Sequence, residues 1–191
     1  GRMTSFSLFT GEPVRRAVQC GQADFIPVFL SDIPDLFRSG RIRLDAALLQ
    51  VSPPDKHGLC SLGTSVDVAR AAADCAPLLI AEINRQMPRT HGHSTLPLCS
   101  LAAWTATDRA LHEHLPSQET PVEAAIGEQI AKLVEDGATL QTGIGAIPDA
   151  VLSRLTDKHD LGIHSEMFSD RVVDLIEAGV VTNRRKRIYP G

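Results

Sequence analysis

Short unbroken apolar runs alternate along this chain with segments in which apolar residues return every three or four positions. The first pattern reads as buried strand and the second as helix. Ala23-Asp-Phe-Ile-Pro-Val-Phe-Leu30 is the first run, and Pro27 makes it an edge or irregular strand. Ser31 is a candidate N-cap for a short helix over residues 33–37. Leu44-Asp-Ala-Ala-Leu-Leu-Gln-Val51 is a stronger strand candidate, stopped by Ser52-Pro-Pro54. Residues 64–75 are alanine-rich without a breaker and predict a helix. Leu78-Leu-Ile-Ala-Glu-Ile83 predicts another buried strand.

Residues 84–120 carry Pro, His, Ser and Thr with weak periodicity and read as irregular, with a linker near Leu115-Pro-Ser-Gln-Glu119. The pattern then sharpens. Thr120, Pro121 and Glu123 form a capping-box signature ahead of a helix whose apolar residues are Val122, Ile126, Ile130, Leu133 and Val134. Gly137 is expected to end that helix as its C′ residue. Ala138-Thr-Leu-Gln141 reads as a strand, residues 148–155 as a helix with Pro148 near its first turn, and Leu161-Gly-Ile-His164 as a short strand. Ser169 or Asp170 caps a last helix through Ala178, stopped by Gly179. The alternation predicts an α/β class with mainly parallel open sheets and flanking helices. Ligands in such sheets sit beyond the carboxyl ends of the strands. The chain opens on Thr4-Ser-Phe-Ser-Leu-Phe-Thr10 with no earlier element and stops at Tyr189-Pro-Gly191 beside an apparent strand start, so it reads as a piece of a longer protein.

The 191 residues suffice for one domain or one domain and part of another. At 43% hydrophobic and 22% charged the composition is that of a globular protein. A net charge of −4 gives no nucleic-acid footprint, and Arg184-Arg-Lys-Arg187 reads as a solvated loop. No apolar stretch reaches membrane-span length and no signal peptide is recognisable. Cys20, Cys60, Cys75 and Cys99 lack C-x-x-C spacing and have small or apolar flanks, which suits reduced buried thiols and a cytoplasmic location.

Two runs carry the chemistry. In Gln141-Thr-Gly-Ile-Gly-Ala-Ile-Pro148 two glycines let the backbone turn sharply ahead of a helix N-terminus, an arrangement that favours an anion. Pro148 replaces the third glycine of a dinucleotide-binding fingerprint, so that reading is set aside. In the second run Glu166 follows a strand and stands among Ile163, Met167 and Phe168, where it is expected to be partly desolvated. A carboxylate nucleophile facing an oxyanion-binding turn is equipment for acyl transfer. His57, in Ser52-Pro-Pro-Asp-Lys-His-Gly58, could orient a substrate carboxylate, and Asn84 at a strand end could donate to an acyl group. Each is also ordinary as a surface histidine or a turn asparagine. His91 and His93 lack further ligands at metal-binding spacing, so no metal is expected.

These runs resemble the acetyl-CoA hydrolase/transferase family, and within it 4-hydroxybutyrate CoA-transferase-like enzymes. The matching runs are Ser52–Gly58, Ala81-Glu-Ile-Asn84 with Met87-Pro-Arg-Thr90, residues 136–152, residues 160–170 and Val181-Thr-Asn183. The resemblance implies a CoA-transferase (NagB/RpiA-like) fold. Residues 1–117 would be the later part of an N-terminal domain, and residues 118–191 the beginning of a C-terminal domain carrying the catalytic glutamate. It implies transfer of CoA between an acyl-CoA and a free acid through a glutamyl-CoA thioester on Glu166. Gly143, Gly145 and Gln141 would assist. Gly143, Ile144, Gly145, Ala146 and Ile147 would contact CoA, and Ser52, His57 and Asn84 would shape the acyl pocket. Coenzyme A is then a substrate, with no prosthetic group. The implied partners are acyl-CoA, small carboxylic acids, the remainder of the second domain and further copies in a homo-oligomer. An isolated chain is expected to be inactive. Water in place of the acceptor acid would make the same site an acyl-CoA hydrolase, and a non-catalytic CoA-binding module would keep the fold without using Glu166. Arg171 stands where the family usually has glycine, and would place a cation that favours dicarboxylate substrates.

Overall fold

The strongest apolar runs become two adjacent strands of a parallel sheet. The structure, a computed structural model, describes residues 4–113 and 118–191. The chain forms two compact units, residues 1–112 and 113–191. The expected 117/118 boundary and most of the expected linker fall at residues 114–117, outside the described residues.

The first unit runs β1 (Ser5–Ser7), α1 (Glu12–Gln19), β2 (Ala23–Phe25), α2 (Ile33–Arg38), β3 (Ala47–Val51), β4 (Leu59–Ser61), α3 (Asp67–Cys75), β5 (Leu79–Asn84), β6 (Thr95–Pro97) and β7 (Ala103–Thr107), with 3-10 turns at Leu30–Asp32 and Leu98–Ser100. Strands β3, β5 and β7 make a three-stranded parallel sheet in that order, Val51 pairing with Ile83 and Ile83 with Ala106. β1 and β2 pair in parallel, and β4 and β6 antiparallel. On β5, Leu79, Ala81 and Ile83 are buried while Ile80 and Glu82 are only half-buried, the period of two that a sheet imposes. The buried set packs with Ala47, Val51, Cys60, Leu62, Ala73, Leu96 and Leu101 into one core. On the other face Glu82 accepts from Gln50 Nε2 (3.0 Å), Thr107 Oγ1 (2.6 Å) and Arg109 Nη2 (2.7 Å). The Arg109 guanidinium, then the Thr107 hydroxyl, pull the Glu82 carboxyl down to about 2.

The second unit runs α4 (Pro121–Ala131), β8 (Thr139–Leu140), α5 (Ala146–Leu152), β9 (Gly162–Ile163) and α6 (Asp170–Glu177). β8 and β9 pair in parallel, Thr139 with Gly162 and Leu140 with Ile163. Ala131, Leu152, Leu155, Leu161, Val172, Leu175, Val180 and Val181 form its core. The architecture is therefore mixed α/β with parallel sheets.

Several expectations shift. β2 stops early: Ile26 still donates to Ser7 O, but Pro27 has no N–H to continue the ladder. Ser31 lies inside a 3-10 turn, and Asp32 occupies the N-cap of α2. The opening of the chain carries β1 and α1, and residues 84–120 hold β6 and β7 rather than irregular chain alone. No strand forms over residues 182–191. α5 starts at Ala146, so Pro148 sits third in the helix, where its missing N–H costs no intrahelical bond. Ser169 is the N-cap of α6 by position, yet its buried hydroxyl finds no partner among the described residues. Cys20 and Cys99 are exposed rather than buried, and all four cysteines are free.

Helix α4 departs most instructively. Its capping box forms as expected, with Glu123 N donating to Thr120 Oγ1 at 3.3 Å and Thr120 N donating to Glu123 Oε2 at 2.7 Å. It ends at Ala131, and Gly137, at φ +77°, belongs to the entry into β8 instead. Its packed face is not the one bulky residues suggest. Gly127 and Ala131 are buried, whereas Val122, Ile130 and Leu133 are exposed. A Cβ on Gly127 would lie 2.7 Å from Ala150 O, so small residues permit a close approach of α4 to α5. In an open helix Gly→Ala stabilises by about 1 kcal/mol. Here the backbone carbonyl must give way, and Gly127→Ala is expected to destabilise by about 1–3 kcal/mol. A thermal melt checks the sign: a raised Tm would contradict this packing.

Candidate active site

The ends of β8 and β9 lie side by side, and His164 N donates to Leu140 O at 2.8 Å as the last main-chain rung between them. Beyond it one strand runs into Gln141–Gly145 and the other into Ser165–Met167. Gln141 Nε2 lies 3.3 and 3.2 Å from the two carboxylate oxygens of Glu166. The Ser165 hydroxyl donates to Thr142 O at 2.7 Å and accepts from Thr142 N at 3.3 Å and Met167 N at 3.2 Å. The glycine turn and the glutamate loop are thus adjacent, as the carboxyl ends of parallel strands should be.

Glu166 is exposed, which corrects the expectation of partial desolvation. Ile144 and Phe168, the bulky neighbours in the two loops, are themselves exposed and do not close over it. Its carboxyl is held below the ordinary range, first by its own backbone N–H and then by the Gln141 amide, against a smaller opposing effect of burial. The group is therefore an anion with free lone pairs, the form a carboxylate nucleophile requires.

Within the turn the glycines differ. Gly145, at φ +111° and ψ −173°, occupies a region that side-chain-bearing residues do not tolerate, and it is the N-cap of α5. Gly143 has ordinary φ, and a Cβ there would meet only Pro148 Cγ at 3.7 Å. Ile144 and Ile147 are exposed and Ala146 half-buried. Arg171, early in α6, turns to Asp174 at 3.2 Å. It also lines a cavity of about 280 Å³ with Ala146 and Asp149 of α5.

A larger cavity of about 640 Å³ flanks β8, lined by Thr139, Leu140, Gln141, His164 and residues 185–188. The basic run is therefore not simply solvated. Lys186 is half-buried, its stem occupying the place of a Gly162 side chain, and Arg185 pairs with Asp160 at 3.5 Å.

In the first unit Ser52 and Asn84 follow the paired residues Val51 and Ile83. Both are buried and engaged. Ser52 Oγ donates to Pro53 O and accepts from Ser61 N, while Asn84 Nδ2 donates to Arg109 O and Asn84 Oδ1 accepts from Gln86 N. His57 is exposed. Its loop is held by two residues to which the sequence reading gave no role. Asp55 accepts from Leu59 N, His57 N and Arg89 Nη2, and Arg89 Nη1 donates to Leu59 O. The Leu59 and His57 N–H groups and the Arg89 charge lower the Asp55 carboxyl. Ser61 Oγ similarly accepts from Gly63 N and Thr90 N. The available signal was that Asp55, Arg89 and Thr90 stand inside the runs carrying the family resemblance. Among the described residues no three His, Cys, Asp or Glu side chains gather where they could hold a metal, and no helix is long and apolar enough to cross a membrane.

Residues 2–102 match the model of the acetyl-CoA hydrolase/transferase N-terminal domain. The chain belongs to the acetyl-CoA hydrolase/transferase family. Over 192 aligned residues, covering 100% of this chain and 40% of the relative, it is 53% identical to the succinyl-CoA:acetate/propanoyl-CoA:succinate CoA transferase of Fasciola hepatica. It is 50% identical to the 4-hydroxybutyrate coenzyme A transferase of Clostridium kluyveri, over 97% of this chain and 43% of that one. The crystal structure of 4-hydroxybutyrate CoA-transferase from Porphyromonas gingivalis is similar with a TM-score of 0.85 at 39% identity, over 98% of this chain and 48% of that chain. RipA from Yersinia pestis gives 0.90 at 35% identity, over 98% and 45%. The chain thus spans under half the length of these family members.

The contact between Gln141 and Glu166 has a direct consequence for proton affinity. Replacing Gln141 with leucine removes the second of the two donors that favour the anion. The Glu166 titration midpoint, followed through its carboxyl carbon by NMR, is expected to rise toward the ordinary glutamate value. An unmoved midpoint would show that Gln141 does not reach the carboxylate in solution.

Proposed function

We propose that this chain is the part of a CoA-transferase that carries its nucleophile, Glu166. The observation carrying this reading is an anionic, accessible carboxylate at the end of β9, contacted by Gln141 beside a glycine turn. It lies in a chain whose whole length matches proteins named as CoA transferases. The fold assignment that goes with it is the NagB/RpiA-like one. Residues 1–117 belong to the N-terminal domain and residues 118–191 begin the C-terminal one.

The chemistry is a double displacement. A Glu166 carboxylate oxygen attacks the thioester carbonyl of a short-chain acyl-CoA. The tetrahedral oxyanion collapses with cleavage of C–S, giving an acyl-glutamyl anhydride and CoA thiolate. The thiolate then attacks the glutamyl carbonyl and releases the donor acid as carboxylate, leaving a glutamyl-CoA thioester. An acceptor carboxylate runs the sequence backwards and departs as the new acyl-CoA. Electrons and charge balance without oxidant, metal or prosthetic group. Backbone N–H groups of Gly143, Ile144 and Gly145 are the proposed oxyanion donors, each worth about 3 kcal/mol of barrier, with Ala146 and Ile147 completing the CoA contact. Gln141 orients the carboxylate. Ser52, His57 and Asn84 are the proposed substrate-binding residues.

The remainder of the second domain is the proposed partner. The cavity beside β8 and the exposed apolar residues Val122 and Ile130 on α4 and Leu133 just after it offer surface for it, since a two-stranded parallel sheet needs further strands and cover. The isolated chain is accordingly inactive, and the complete protein is a cytoplasmic homo-oligomer. Arg171 adds a cation that favours dicarboxylate acids.

In the full-length protein Glu166→Gln is expected to lower acyl-CoA:carboxylate exchange by at least about a thousandfold, as loss of a covalent nucleophile does. Undiminished exchange would remove Glu166 from the mechanism. CoA release from acetyl-CoA that needs added carboxylate identifies a transferase. Release at the same rate without carboxylate identifies a hydrolase.

A further inference from the structure

We infer that Ser165 is a positioning residue that locks the glycine turn in register with the nucleophile. The inference rests on the reading of Glu166 given above. The main-chain ladder between β8 and β9 ends at the His164 N to Leu140 O bond, before either chemical loop begins. Past that point the Ser165 hydroxyl takes over. It makes one donated bond, to Thr142 O at 2.7 Å, and accepts two, from Thr142 N at 3.3 Å and Met167 N at 3.2 Å. A hydroxyl offers one donor and two acceptor sites, so its capacity is full. Thr142 directly precedes Gly143, and Met167 directly follows Glu166.

A single side chain therefore holds both backbone groups of the residue that launches the turn and the first N–H after the nucleophile. Among the described residues neither Thr142 N nor Thr142 O has another hydrogen-bond partner. Gln141 spans the same gap, but through the longer and softer contacts of 3.2 and 3.3 Å to the Glu166 carboxylate. The short bond of Ser165 to Thr142 O is the stiffer link.

Stiffness at this place has a chemical meaning. When Glu166 attacks a thioester, and again when CoA thiolate attacks the glutamyl carbonyl, the oxyanion must form against donors already in position. Misplacement by about 1 Å costs on the order of a hundredfold in rate. Ser165 touches no reacting atom in this account. It sets the offset between the oxyanion donors and the carboxylate, so its loss should appear in kcat and leave substrate binding nearly intact.

The test uses the full-length protein with acetyl-CoA and a short-chain carboxylate. Ser165→Ala is expected to lower kcat by about 10- to 100-fold, with KM for both substrates changed less than about threefold. Ser165→Thr, which keeps the hydroxyl, should recover most of the loss. The glutamyl-CoA thioester should still map to Glu166 in Ser165→Ala, but form more slowly in a single turnover. A merely structural serine would lower the melting temperature and leave kcat per folded enzyme unchanged, and that result overturns the inference. In the wild-type protein the amides of Thr142 and Met167 should resist hydrogen exchange. Exchange at the rate of free loop amides also overturns it, whether or not the alanine variant folds. Failure of the underlying mechanism looks different: no thioester would then form on Glu166 even in the wild type.

Discussion

Main-chain pairing between Thr139–Leu140 and Gly162–Ile163 brings together two loops that are distant in sequence, and the proposed chemistry needs both. One supplies a turn whose Gly145 only glycine can build, and the other supplies a carboxylate. The two strands are only two residues long, so they fix the start of each loop and little beyond. Side chains must continue what the ladder begins. Ser165 grips the backbone of Thr142, and Gln141 reaches both oxygens of Glu166. The core beneath, built around Leu152, Leu155, Leu161, Val172 and Leu175, holds α5 and α6 against these strands and so sets where both loops emerge.

The first unit solves a similar problem with charge. The carboxyl ends of β3 and β5 pass into loops pinned by the Asp55–Arg89 pair and by the hydroxyls of Ser52 and Ser61. Asp55 uses one oxygen for the N–H groups of His57 and Leu59 and the other for Arg89, so one carboxylate shapes the whole His57 loop. A carboxylate bound by so many donors is depleted as a nucleophile. Glu82, with its carboxyl at about 2 beneath Arg109, is equally committed. Glu166 differs from both. It is kept ionised by its own N–H and one neutral amide, and among the described residues no cation pairs with it. That contrast in physical state is what supports the proposed role of Glu166 as the nucleophile.

Local chemistry was legible in the sequence, and tertiary chemistry was not. The capping box of α4 could be read from Thr120 and Glu123 because both partners lie within one turn. The apolar β3 and β5 could be read from their runs, with ends moved by a few residues. β7 was missed because Ala103–Thr107 is exposed along most of its length and shows no buried-and-exposed alternation. The packed face of α4 was misjudged because a close helix contact selects Gly127 and Ala131 by smallness, which mimics absence of a core. At the candidate site, the position of Glu166 and of the glycine turn just after adjacent strands was legible from residue type and pattern. Ser165 was not, since its Thr142 partner lies 23 residues away and a serine carries no mark of such a contact. The exposure of Glu166 also escaped the reading, because apolar neighbours in sequence need not fold over a side chain.

In the proposed mechanism Glu166 carries coenzyme A as a thioester. The most direct measurement is to incubate the full-length protein with acetyl-CoA in the absence of acceptor, reduce with borohydride, and map the peptides by mass. The expected result is that the peptide containing Glu166 carries the corresponding alcohol, with every other carboxylate unmodified. An unmodified Glu166 across several acyl-CoA donors would contradict it.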